Sequence, residues 1–147
     1  MDKSNLYWLT NKEDYCEKTV IVDKINENKY RVLEFGQFKP ILHGGHLIDN
    51  SIAAILNKYA ADQITAINQV IIWRKSTDET RTDYSEIELK HQLDLETFKT
   101  AVYDGYRIYL LMDNQIYISA ALMDKLISEY GKANELGFIK EWPLYAG

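Results

Sequence analysis

Two histidines flank a glycine pair in His43-Gly44-Gly45-His46, the first residues of this chain whose type and spacing could do chemistry. Imidazoles three apart can share a metal only if the backbone turns both rings inward and further ligands arrive from elsewhere. No such partner announces itself, so two ordinary loop histidines are the better reading. The glycine pair also lacks the spacing and the Lys-Ser/Thr of a phosphate-binding loop. Cys16 is the one cysteine. It has no neighbouring cue for activation and no partner for a disulfide or a zinc site, so a half-buried apolar role is expected. Ser119 falls between a predicted strand and a predicted helix, where a hydrolase nucleophile would sit. It lacks the flanking glycines of a nucleophile elbow and reads better as a helix N-cap. No cofactor is expected.

A sharper enzymatic pattern is Glu88-Leu89-Lys90 preceded by Asp83 or Asp78. Metal-dependent nucleases use two carboxylates to hold magnesium and a lysine to position the attacking water. Two facts count against that reading of Asp83, Glu88 and Lys90. Charged and apolar residues alternate on any half-exposed antiparallel strand, and a nuclease needs a basic surface for its substrate. Between Asp78 and Asp104 the chain carries eight acids against three bases, which accounts for its whole net charge of −5. An acidic stretch repels phosphate backbones, so nucleic acid is not an expected partner. Eleven tyrosines and three tryptophans favour protein contact instead, because they offer large area with a polar tip. Asp78, Glu79, Asp83, Tyr84, Glu86, Glu88, Tyr103 and Asp104 are the expected contact residues. Tyr106, Tyr109 and Tyr117 lie on or beside the hairpin that follows.

The elements that must position these residues can be read from periodicity. With 147 residues, 46% of them apolar and 27% charged, one domain spanning 1–147 with a single core is the default. The start of the chain lacks the features of a secretory signal, and no apolar run reaches membrane-spanning length. A cytoplasmic protein with no membrane partner is expected. Leu6-Tyr7-Trp8-Leu9 reads as an edge strand or a docked arm. Thr19–Val22 and Tyr30–Leu33 read as an antiparallel pair around a turn at Asn26–Lys29, and Gly36 to Gly45 as a connector.

Ile52, Ile55, Leu56 and Tyr59 predict a helix at about 49–61, capped by Asp49 or Asn50. Ile67–Trp73 and Thr82–His91 predict strands joined by a polar turn. In the second, alternation puts Ile87 and Leu89 on one face and Glu86, Glu88 and Lys90 on a solvent-facing other. Tyr106–Met112 and Gln115–Ser119 predict a hairpin turning at Asp113-Asn114. Leu122, Met123, Leu126, Ile127 and Tyr130 predict a second helix at about 120–130, stopped by Gly131. Leu136–Ile139 and Trp142 should pack back onto the body. The expected fold is α+β, a mostly antiparallel sheet on two amphipathic helices. Those helices share an apolar pattern at an offset of 71, which raises the question of an internal duplication.

From Phe38 to Trp142 the order of pieces resembles a family of bacterial immunity proteins that accompany polymorphic toxins: helix 49–61, strands 69–73 and 84–90, an acidic bridge, a hairpin ending Gln115-Ile116-Tyr117-Ile118-Ser119, a helix, and then Leu136-Gly137-Phe138. Residues 1–37 are not part of the likeness. The resemblance implies a non-enzymatic inhibitor that binds a cognate toxin in the producing cell. Its acidic excess would then meet a basic cleft, where complementary charge speeds association. The competing readings are the nuclease-like enzyme and an intracellular adaptor domain.

Overall fold

Asp49 opens the first helix by accepting a hydrogen bond from the Ser51 amide at 2.9 Å, which satisfies one of the donors that a helix N-terminus leaves open. This helix, α1 (Asn50–Ala60), buries Ile52, Ala53, Ile55, Leu56 and Ala60 along one stripe. The second, α2 (Ala120–Glu129), buries Leu122 and Leu126. The computed structural model describes residues 6–12, 18–94, 96, 104–112 and 115–140. The expectations for Cys16, Tyr103, the Asp113-Asn114 turn and Trp142 lie outside those residues.

The strands are β1 (Leu6–Asn11), β2 (Ile21–Asn26), β3 (Lys29–Glu34), β4 (Ile41–Leu42), β5 (Leu47–Asp49), β6 (Ile64–Arg74), β7 (Glu79–Leu89), β8 (Ile108–Leu111), β9 (Gln115–Ser119) and β10 (Leu136–Ile139). One sheet has the order β10-β1-β9-β8 and is antiparallel. The other, β2-β3-β6-β7-β5-β4, is antiparallel except where β3 runs parallel to β6, and it curls into a half-barrel. The main core gathers Leu9, Ile48, Ile52, Leu56, Ile87, Ile116, Ile118, Leu122 and Leu126 from both helices and both sheets. A second core fills the curl with Val20, Val22, Tyr30, Leu42, Leu47, Val70, Ile72 and Tyr84. The fold is therefore the α+β arrangement that the apolar patterns predict.

Four local expectations are corrected. β1 is an interior strand, hydrogen-bonded to β10 on one side and β9 on the other. Its apolar residues serve both faces: Leu9 enters the main core, while Leu6 joins Leu93, Leu111 and Tyr117. Within the expected connector, Ile41-Leu42 pairs with Leu47-Ile48 as a short hairpin. Its loop takes positive φ at His43, Gly44 and Gly45. Ser119 does precede α2, but its hydroxyl makes no cap. It donates instead to the Gly105 carbonyl at 2.8 Å and accepts from the Arg107 amide at 2.9 Å. Finally, α2 ends because Tyr130 turns extended (φ −87, ψ 121) and donates its hydroxyl to Asp49 Oδ2 at 2.8 Å. Gly131 supplies no left-handed stop.

A polar clamp joins the two sheets. Asn11, at the end of β1, donates from Nδ2 to the Ile41 carbonyl at 2.7 Å and accepts from the Ile41 amide at 2.9 Å. Removing both bonds leaves two part-buried backbone groups unsatisfied. Asn11→Ala should therefore cost about 1–3 kcal/mol of unfolding free energy, measured by urea denaturation. A cost within error of zero would show that the clamp contributes nothing.

The offset of 71 has a topological counterpart. Strands β4 and β5, helix α1 and strand β6 are laid out with β7 between β6 and β5, in the order β6-β7-β5-β4. Strands β8 and β9, helix α2 and strand β10 repeat that plan in the order β10-β1-β9-β8, with β1 in the place of β7. Each helix is followed by a short 3-10 turn, Ala61–Gln63 and Ala133–Glu135. The residue match is looser than the topology, since Leu56 is buried and its counterpart Ile127 is exposed.

Candidate functional site in the curled sheet

Strand β7 carries most of the acidic residues singled out above, and its geometry separates them. Opposite β6 the register slips between Val70↔Tyr84 and Ile72↔Arg81, so one residue of β6 faces two of β7. The bulge re-aims the strand. Arg81 then lies on the same face as Tyr84, its guanidinium 5.9 Å from that ring. Asp83, at the bulge, is held by Arg81 at 2.8 and 3.2 Å, and the guanidinium lowers its pKa. Asp78 occupies a left-handed turn position and accepts from Trp73 Nε1 at 2.9 Å. Glu79 lines a crevice of about 240 Å³ with Val32, Phe35, Phe38, Ile72, Arg74 and Arg81. Asp104 is exposed, and its carbonyl accepts from Arg107 Nε at 3.3 Å. These acids form no single face.

The alternation of β7 holds, but its polar face does not meet open solvent at Glu86. Tyr84, Ser85, Glu86 and Ile87 are all buried. Ser85 and Ile87 face α1, with the Ser85 hydroxyl 2.5 Å from Asn50 Oδ1. Tyr84 and Glu86 face the inside of the curl, because the β2–β3 hairpin has added alongside β6 and bends over them. Tyr84 donates to the Lys39 carbonyl at 2.8 Å.

Glu86 retains only 8% of its accessible surface. Its Oε1 accepts from the Tyr30 hydroxyl at 2.7 Å and pairs with Lys24 Nζ at 2.9 Å. Its Oε2 lies 3.9 Å from His46 Nε2, beyond hydrogen-bonding distance. Burial opposes ionisation of this carboxyl, but the Tyr30 and Lys24 contacts prevail and its pKa is lowered. Burial lowers the pKa of His46, with Glu86 pulling the other way. The His43 and His46 rings meet edge to face at 5.8 Å, and His43 meets Tyr30 in the same way at 5.8 Å.

Beside this network the curl opens into a polar pocket of about 430 Å³ lined by Lys24, Glu27, Asn28, Asn68, Gln69, Glu86 and Glu88. Glu88, exposed, is thus a rim residue of the same pocket whose buried member is Glu86. Sequence reasoning found these two acids and both histidines. It missed Lys24, Tyr30 and Asn68, which lie far away in the chain and carry no local signal. Of the tyrosines, Tyr117 is fully buried in the sheet containing β8 and β9, and Tyr106 and Tyr109 are partly buried.

The carboxylates of the nuclease-like pattern are spread along one strand. Asp83 and Glu88 are five positions apart on one strand, roughly 16 Å at about 3.3 Å per residue. Oxygen ligands must approach one divalent ion to about 2–2.6 Å. Among the described residues no group of three or more His, Cys, Asp or Glu side chains converges as metal ligands would. Among the same residues, no helix is long and apolar enough to cross a membrane. No family model, curated protein or solved structure matches the chain. The site must therefore be read from its own chemistry.

Proposed function

We propose that this chain is a non-enzymatic binding protein that neutralises a cognate bacterial toxin, docking through the β2–β3 hairpin and the adjoining mouth of the curled sheet. The observation that carries the binding reading is the concentration of exposed apolar side chains on and beside one hairpin. Ile21 is 47% exposed, Ile25 39%, Leu33 53% and Phe35 65%. Apolar surface gathered on one rigid element marks interaction sites, whereas scattered exposure is ordinary. Arg74 stacks its guanidinium 4.1 Å from the Phe35 ring, and arginine and aromatic residues are the side chains that dominate binding energy in protein interfaces. The toxin assignment rests on the resemblance of the element order in residues 38–142. Glu88, with the net charge of −5, supports a cationic partner.

The product of the gene directly upstream provides the test, because the reading requires it to be a toxin. Co-expression of the chain with that toxin is expected to restore growth and to give a complex that survives size-exclusion chromatography. Undiminished toxicity together with separate elution would defeat the reading. Gene position also separates an immunity protein, encoded directly after its toxin, from an adaptor domain. A magnesium-dependent cleavage assay comparing the chain with Glu88→Ala addresses the enzymatic alternative.

A further inference from the structure

Strand β6 is paired unequally on its two sides. Its 11 residues run beside β7 from end to end, whereas β3 covers only Ile71, Ile72 and Trp73. Among the described residues, no strand lies along the other edge of residues 66–70. The Ile71 amide donates to that side, to the Asn28 carbonyl at 2.9 Å. Alternate residues of a strand aim their main-chain groups at the same neighbour, so the amides and carbonyls of Ile67 and Gln69 point the same way. Among the described residues, nothing bonds to them there.

The other sheet edges are blunted. Strand β2 carries Asp23 and Lys24 and two register shifts. Strand β4 is two residues long, and Asn11 holds both main-chain groups of its Ile41. Leu110 of β8 bonds to the backbone of His91 and Leu93. Strand β10 is only four residues long. Charge, bulges, shortness and covering are the devices that suppress pairing with other chains. Ala66-Ile67-Asn68-Gln69-Val70 has none of them: no charge, no proline and no register shift within it. Beside it lies the gap of about 430 Å³ left where the β2–β3 hairpin stops short, lined by Asn68 and Gln69 from β6 and by Lys24, Glu27 and Asn28 from the hairpin.

We infer that residues 66–70 are a strand-addition site, where an extended segment of a protein partner pairs antiparallel to β6. In that arrangement one partner residue exchanges both hydrogen bonds with Ile67 and another, two positions away, does so with Gln69. The main chain carries the recognition, and side chains set the preference. Those opposite Ile67 and Gln69 share the face on which Ile67 packs against the main core, which suits β-branched residues. The ones between face the curl beside Asn68, Glu86 and Glu88, which suits lysine. A second copy of the chain fits poorly. Pairing two β6 strands about Ile67 would set Gln63 of one opposite Ile71 of the other, where β3 already lies. Residues 61–63 leave the sheet in a 3-10 turn, so each hairpin would meet the other copy's turn. This inference rests on the binding reading above and names how the partner docks.

The test uses the full chain labelled with 15N and the peptide acetyl-Lys-Val-Lys-Val-Lys-amide, with the same peptide N-methylated at both valines as control. The control keeps every side chain and charge but loses the two donors aimed at the edge. The unmodified peptide is expected to shift the Ile67 and Gln69 amides saturably and to slow their hydrogen exchange at least about tenfold. The control should bind at least about tenfold more weakly, because two hydrogen bonds are lost. Gln69→Pro removes an amide that the β6–β7 ladder does not use, and it should weaken the peptide about tenfold. The peptide pair decides the matter if that variant does not fold. Equal binding of the two peptides would show that charge alone attracts them and would overturn the inference. Shifts confined to β2 would do the same, as would protection of Ile67 and Gln69 that rises with chain concentration alone and tracks a dimer. The product of the upstream gene separates the two readings. If it binds while Ile67 and Gln69 stay unprotected, strand addition fails and the toxin reading stands. If the peptide binds and the gene product does not, the site stands and the toxin reading fails.

Discussion

Replacing Gly36 by alanine is expected to destabilise the fold by about 3 kcal/mol or more, the range of overpacking where only backbone can give way. A Cβ built at Gly36 lies 2.6 Å from the Lys18 carbonyl oxygen, 2.9 Å from the Thr19 carbonyl carbon and 2.9 Å from the Val20 amide nitrogen. None of these atoms belongs to a flexible side chain. They sit where the chain leaving β3 closes against the chain entering β2, fixed by hydrogen bonds from Val20 N to Gln37 O at 3.0 Å and from Gln37 N to Lys18 O at 2.7 Å. For a domain of this length the change lowers the melting temperature by roughly 6–12 °C. Gly131→Ala is the control, since nothing lies within 4 Å of its added Cβ. Equal melting temperatures for the two variants would refute the close approach at Gly36.

The second large effect is alkaline. Tyr30, Tyr84 and Tyr130 all have their pKa raised, in each case first by burial. Glu86 accepts the Tyr30 proton in a hydrogen bond and Asp49 that of Tyr130, and both carboxylates further disfavour phenolate. Near Tyr84 the charge of Asp83 acts in the same direction. A group whose folded pKa lies above its unfolded value contributes stability that is fully present below the unfolded pKa, about 10 for tyrosine. That contribution is lost as pH rises through the folded pKa. Stability is therefore expected to fall steeply above about pH 10, with the three phenols releasing protons together as the chain unfolds. Phenolate absorbance followed alongside circular dichroism checks this. If Tyr30→Phe leaves the alkaline midpoint unmoved, Tyr30 is not one of the coupled groups.

How much of this was legible in the sequence depends on whether the signal was local. The helices followed from a stripe at helical spacing, with Asp49 in its expected cap, and the two long hairpins followed from runs of β-branched residues bounded by polar turns. Cross-strand partners more distant in sequence were not legible. Alternation places Glu86 opposite Ile87 correctly, yet whether the polar side meets water depends on the sheet curling, which the parallel addition of β3 to β6 decides. The bulge at Thr82 and Asp83 is equally silent, and it turns an apparent row of acids into separate environments. Ser119 shows the same limit in another form. Its position before α2 was readable, but the pull of Gly105 and Arg107 on its hydroxyl is a tertiary matter.

The place of β1 between β9 and β10 has a consequence for how the molecule assembles. Leu6 faces Ser119 and Trp8 faces Ile139, so β1 must find both of its neighbours across a very long stretch of intervening chain. The half-barrel draws all its strands from residues 21–89 and closes over shorter separations. It can organise first and offer α1 as the template on which α2 docks, leaving the closing insertion of β1 as the slow, long-range step.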